Sequence, residues 1–260
     1  MNELPTLFVS HGAPTLALEP DITGPKLRSL ASELPRPRAI LVISAHWDTT
    51  APRLGAAVQQ KLIYDFSGFP EALYRIRYPA PGAPELAHRA KALLAEAGFP
   101  AELDAARGLD HGAWVPLLFM YPEATVPVTQ LSVQSHLGPA HHLRVGAALR
   151  PLRSEGVLIL GSGSSTHNLR EFGGHDLDAP PPQWVAEFGE WTAQAVMAQR
   201  IDDLLDYRRL APHAARNHPT EEHFLPLFVA MGAATPGAKA QRIHSGYTYG
   251  VIGMDAYRFD

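Results

Sequence analysis

Cysteine is absent from this 260-residue chain, which excludes disulfide bracing, thiolate metal ligands and a thiol nucleophile. Long apolar runs are missing too: no stretch reaches the ~20 consecutive apolar residues that a membrane-spanning helix needs. Nor is there a cationic tract. Lys and Arg number 22 against 26 Asp and Glu, a net charge of -4, so neither nucleic acid nor an anionic lipid surface is an expected partner. The opening Met1-Asn2-Glu3-Leu4-Pro5 lacks the basic start and apolar stretch of a secretory signal. Together these absences point to a cytoplasmic enzyme.

What is present suffices for a substantial core. Hydrophobic residues make up 46% of the chain and charged residues only 18%, far from the composition of a disordered segment. Short apolar runs at Leu7-Phe8-Val9, Ala39 to Ile43, Val126 to Val133 and Val157 to Leu160 predict buried strands. Helices are expected between them. Pro84 to Ala97 carries Leu86, Ala90, Leu93, Leu94 and Ala97 on one stripe, with Pro84 in the first turn and Gly98 as the stop. A second helix is predicted from about Pro182, with Trp184, Phe188, Trp191 and Ala195 at helical spacing. The alternation predicts an α/β fold whose central sheet is largely parallel or mixed and flanked by helices. The proline cluster at 180–182 is too short to act as an interdomain linker, so residues 1–260 are read as a single domain.

Thirteen histidines are the informative excess, because His is the commonest metal ligand and titrates nearest neutral pH. In open α/β sheets ligands bind outside the carboxyl ends of the strands. His11 follows the first predicted strand, His46 the second and His167 the strand at 157–160, so three histidines are expected on one rim. Gly12 beside His11 allows close backbone approach, and Pro14 stiffens the turn. Two other readings of the Gly161-Ser162-Gly163 segment fail: Thr166 occupies the third glycine position of a dinucleotide fingerprint, and Gly163 stands where a nucleophile-elbow serine would be.

Six ordered segments carry a resemblance. They are Ser-His-Gly-Ala-Pro at 10–14, Ser-Ala-His-Trp at 44–47, Tyr-Asp-Phe-Ser-Gly-Phe-Pro at 64–70, Leu-Asp-His-Gly-Ala-Trp at 109–114, Gly-Ser-Gly-Ser-Ser-Thr-His-Asn-Leu at 161–169 and Asn-His-Pro-Thr-Glu-Glu-His-Phe-Leu-Pro-Leu at 217–227. In this order the chain resembles the DOPA 4,5-dioxygenase-like family of class III extradiol ring-cleavage dioxygenases. The resemblance implies a single catalytic domain, a non-haem metal held by His11, His46 and His223, and catalytic histidines at His111 and His167. Some class III relatives use a glutamate as third ligand, which makes Glu222 the rival of His223. If Glu221 to Leu227 is helical, neighbours diverge by about 100° and only one of the two faces the metal.

The implied reaction takes a small aromatic diol and dioxygen to a ring-opened semialdehyde. Fe(II) is the expected working ion, since Zn(II) has no redox chemistry, although a three-histidine site also suits zinc. His167 is expected to accept and return a proton, with His111 positioning or protonating oxygen. Asp65, Phe66, Phe69 and Trp114 are the substrate-facing candidates. Two alternatives stay open at this point: a zinc-dependent hydrolase on the same histidines, and a non-enzymatic Memo-like binding protein.

Overall fold

The computed structural model describes residues 3–260. Its strands are β1 (Thr6–Ser10), β2 (Ala39–Asp48), β3 (Arg53–Gly55), β4 (Glu102–Asp104), β5 (Val128–Val133), β6 (Val157–Gly163), β7 (Ala240–His244), β8 (Tyr247–Thr248), β9 (Ile252–Gly253) and β10 (Ala256–Phe259). Eight of them form one sheet in the order β4-β3-β5-β2-β6-β1-β10-β7, while β8 and β9 make a separate hairpin. The sheet is mixed. Its centre, β5-β2-β6-β1, is parallel, whereas β3 meets β5, and β10 meets both β1 and β7, in antiparallel fashion.

The helices are α1 (Thr23–Ser32), α2 (Glu71–Arg75), α3 (Pro84–Glu96), α4 (His111–Met120), α5 (Gly138–Leu149), α6 (Gln183–Met197), α7 (Ile201–Leu205), α8 (Tyr207–Leu210), α9 (Ala214–Asn217) and α10 (Leu225–Ala233). They cover both faces of the sheet. Successive strand residues point to opposite sides: Leu7, Val9, Ile40, Val42, Leu158 and Leu160 pack with α1 and α4, while Phe8, Leu41, Ile43 and Ile159 pack with α3, α5 and α10. Burial on two sides is why these strands read as unbroken apolar runs rather than alternating ones.

Three boundaries differ from the sequence expectation. β5 begins at Val128 because Pro127 has no N–H to give the ladder; its carbonyl instead accepts from the Ile40 N–H at 2.9 Å. β2 runs beyond Ile43 to Asp48, with a register shift against β5, so His46 lies in the last part of the strand and not in a loop after it. α10 starts at Leu225, with Pro226 in its first turn. Glu222 and His223 therefore sit in the turn before that helix, where the Glu221 carbonyl accepts from the N–H groups of Phe224 and Leu225.

Candidate metal centre

The adjacent strands β2, β6 and β1 end on one rim of the sheet and bring His46, His167 and His11 to it. His11 lies one residue beyond β1, its backbone N–H bonded to the Gly163 carbonyl at 3.0 Å, and Gly12 takes the left-handed φ of +65° that turns the chain away. His111 is the first residue of α4, a helix buried nearly all round. The fully buried N-cap Asp110 fixes that start: it accepts from Ala113 N at 3.2 Å, Ser44 Oγ at 2.6 Å and Gln130 Nε2 at 2.7 Å, and it pairs with Arg107.

His223 arrives from the opposite direction, on the turn before α10. The Ser164 N–H donates to its carbonyl at 2.9 Å, and a Cβ placed on Gly163 would lie 2.1 Å from that carbonyl oxygen. Only a glycine at 163 lets the two segments approach so closely. The glycine-bearing end of β6 thus makes room for the turn that carries His223.

Three ring nitrogens converge. His46 Nε2 stands 3.0 Å from His11 Nε2 and 3.2 Å from His223 Nε2, and one nitrogen of each ring lies within 4.8 Å of the others. On the far side of each ring a partner faces Nδ1: Ser162 Oγ at 3.1 Å from His11, Asp65 Oδ2 at 3.4 Å from His46 and Glu222 Oε1 at 3.1 Å from His223. The Ser162 hydroxyl already donates to the Gly112 carbonyl, so toward His11 it accepts. Carboxylates only accept. Each Nδ1 therefore carries the proton, and three Nε2 lone pairs point at one another.

Three acceptors at this separation suit a cation. A metal bonded to nitrogen at about 2.0–2.1 Å holds two ligands at right angles roughly 3 Å apart, which matches the two close spacings. The donor set is also kept unprotonated. Burial first, then neighbouring imidazoles, holds His11 and His223 well below the usual histidine range and His46 at about 3. Asp65 is low as well: burial alone would raise it, but hydrogen bonding and charge from His111, with a further contribution from His46, bring it to about 2.

The other sequence candidates divide. His167 stacks on His223 with centroids 3.5 Å apart and planes 9° from parallel; burial, then His46 and His111, lowers it to about 3. His111 packs against His46, with ring centroids 3.9 Å apart. Asp65, Phe66 and Phe69 join His11, His46, His111, His167 and His223 around a cavity of about 490 Å³. Trp114 does not reach it. That ring is fully buried behind Phe66, its Nε1 donating to the Ile63 carbonyl at 3.3 Å. Further lining residues of the cavity, Leu169, Phe172 and Ile252, are not evident from the sequence. Leu169 ends the His167 segment, which is a signal for it, but Ile252 comes from the β8–β9 hairpin with no motif to flag it.

An α/β sheet with converging histidines at its carboxyl rim, beside a cavity lined in part by aromatic residues, fits a metal-dependent enzyme for a small aromatic compound. Residues 6–260 match the family described as the catalytic LigB subunit of aromatic ring-opening dioxygenase, and the chain belongs to that family. It is 46% identical to a 4,5-DOPA dioxygenase extradiol of Beta vulgaris, over 98% of this chain and 96% of that one. A protein with the same description from Escherichia coli K12 is 40% identical over 89% and 86% of the two chains. The crystal structure of an uncharacterised Escherichia coli K12 protein superposes with a TM-score of 0.83 at 33% identity, covering 99% of this chain and all of that one. Membership in a ring-opening dioxygenase family displaces both alternatives, the hydrolase and the non-enzymatic binding protein.

Proposed function

We propose that residues 1–260 act as one catalytic domain that opens the ring of a catechol beside its diol, using dioxygen and Fe(II), to give a semialdehyde. The convergence of the His11, His46 and His223 Nε2 lone pairs carries this reading, since three acceptors so close to one another call for a cation. DOPA or a related aromatic diol is the substrate class, on the strength of the relatives' names. Fe(II) in this set would supply the electron exchange between catechol and dioxygen that Zn(II), with no redox states, does not. Dioxygen and the diol are the expected small-molecule partners, and the cytoplasm the expected compartment; no helix among the described residues is long and apolar enough to cross a membrane.

The chain's own residues then bind, orient and move protons. Phe66, Phe69, Leu169, Phe172 and Ile252 line the cavity, apolar surface suited to an aromatic ring. His167 is the proton carrier. No hydrogen bond among the described residues occupies its ring nitrogens, and it lines the cavity as a neutral base ready to take a catechol hydroxyl proton and return it when the ring opens. His111, held at the first position of α4 and packed on His46, positions oxygen, its Nε2 accepting from a hydroxyl.

The test is oxygen uptake. Chelated protein reloaded anaerobically with Fe(II) should consume about one dioxygen per catechol and form a yellow product, whereas the Zn(II) form should not. Equal turnover with zinc, or turnover without oxygen, would overturn the reading.

A further inference from the structure

We infer that Asp65 is a positioning residue that serves two histidines with one carboxylate, fixing the tautomer of His111 and the orientation of His46; it rests on the reading of His46 as a metal holder. Oδ1 lies 3.0 Å from His111 Nδ1 and accepts from the His111 backbone N–H, also at 3.0 Å, while Oδ2 lies 3.4 Å from His46 Nδ1. The Oδ1–Nδ1 contact lacks hydrogen-bond alignment, so the backbone N–H, one of the donors an α-helix leaves unpaired in its first turn, is what locks the carboxylate in place. Both oxygens thus face groups of the protein while the residue also lines the cavity.

The chemical consequence follows from what a carboxylate lacks. Having no proton to give, it favours in each neutral ring the tautomer with the proton on the Nδ1 that faces it, which makes Nε2 the acceptor of His111 and gives the His46 Nε2 lone pair to the cluster. Outer carboxylates of this kind set the ring orientation and basicity of metal-holding histidines. Asp65 adds a mechanical link. Its chain neighbour Phe66 lines the cavity and packs edge-on against His111, with ring centroids 5.6 Å apart, so one residue ties the aromatic wall, His111 and His46 into a unit.

The experiment uses full-length protein loaded with Zn(II) and labelled with nitrogen-15 in its imidazoles. Long-range proton–nitrogen correlation spectra should show His111 protonated on Nδ1 in the unmodified protein and shifted toward Nε2 protonation in Asp65→Asn, whose amide can donate. Zinc affinity, measured by chelator competition, should fall about 10- to 100-fold in that variant. The proposal is overturned if unmodified His111 is protonated on Nε2, or if Asp65→Asn keeps both the tautomer and the affinity. Neither readout needs turnover, so failure of ring opening in the oxygen assay leaves this result separately interpretable, and the spectrum of the unmodified protein decides even if the variant folds poorly.

Discussion

The rings of His167 and His223 lie face to face, 3.5 Å between centroids and 9° from parallel, yet they stand in different relations to the cluster. His223 Nε2 meets His46 Nε2 at 3.2 Å, whereas His167 lines the cavity and makes no such contact with His11 or His46.

Substitution should separate the two roles. His167→Gln should keep most Fe(II) while turnover falls about 10²- to 10⁴-fold, the usual contribution of general acid–base catalysis. His223→Ala should lose iron and activity together. Metal analysis beside initial rates decides, and the reverse pattern would exchange the assignments.

Glu222 is the rival of His223 as a metal ligand. Because its Oε1 accepts from Thr220 Oγ1 at 2.9 Å and faces His223 Nδ1 at 3.1 Å, Glu222→Gln should still bind one equivalent of metal, with affinity lowered by at most about 100-fold. Complete loss of metal would make the carboxylate a ligand after all.

Gly163 should tolerate no side chain. Gly163→Ala would drive a Cβ against the His223 carbonyl, and overpacking of this kind typically costs about 1–3 kcal/mol. The expected result is a lower urea midpoint together with weaker metal binding, since His223 is the residue displaced. An unchanged midpoint with full metal affinity would show that the turn yields freely.

Acid should destabilise the metal-free protein in part through two histidines outside the centre. Burial lowers His142 to about 4 and His218 to about 3, both kept neutral by their surroundings. The unfolded chain takes up protons at these positions below about 6.5, while the folded chain does not until nearer 3 to 4. Folding stability should therefore fall as pH drops from about 6.5 toward 4, by up to about 1.4 kcal/mol per pH unit for each histidine. Urea titrations of chelated protein at pH 7, 6 and 5 measure this, and His142→Gln should flatten the slope.

Much of this architecture is legible in the residues themselves. The four central strands are readable because burial on both faces removes polar residues from them, and His11, His46 and His167 because each stands where a strand gives out. The edge strand β7 is not, since Ala240–His244 is partly exposed and has no apolar run to announce it. The start of α10 is hidden because Glu221 to Leu227 has helical composition throughout, and only Pro226 marks where the first turn begins. Pairings such as His11 with Ser162, or His46 and His111 with Asp65, depend on the register of segments far apart in the chain. Trp114 shows the converse: an aromatic beside a motif histidine whose helix turns it into the core.

The converging histidines are distant in sequence, 35 residues between His11 and His46 and 177 between His46 and His223. During synthesis a chain that has just completed β6 presents only two of the three nitrogens, on a sheet that still lacks β10 and β7. A cation held by all three nitrogens would therefore favour chains whose distant segments have come together, since a ligand that binds only the folded state stabilises it.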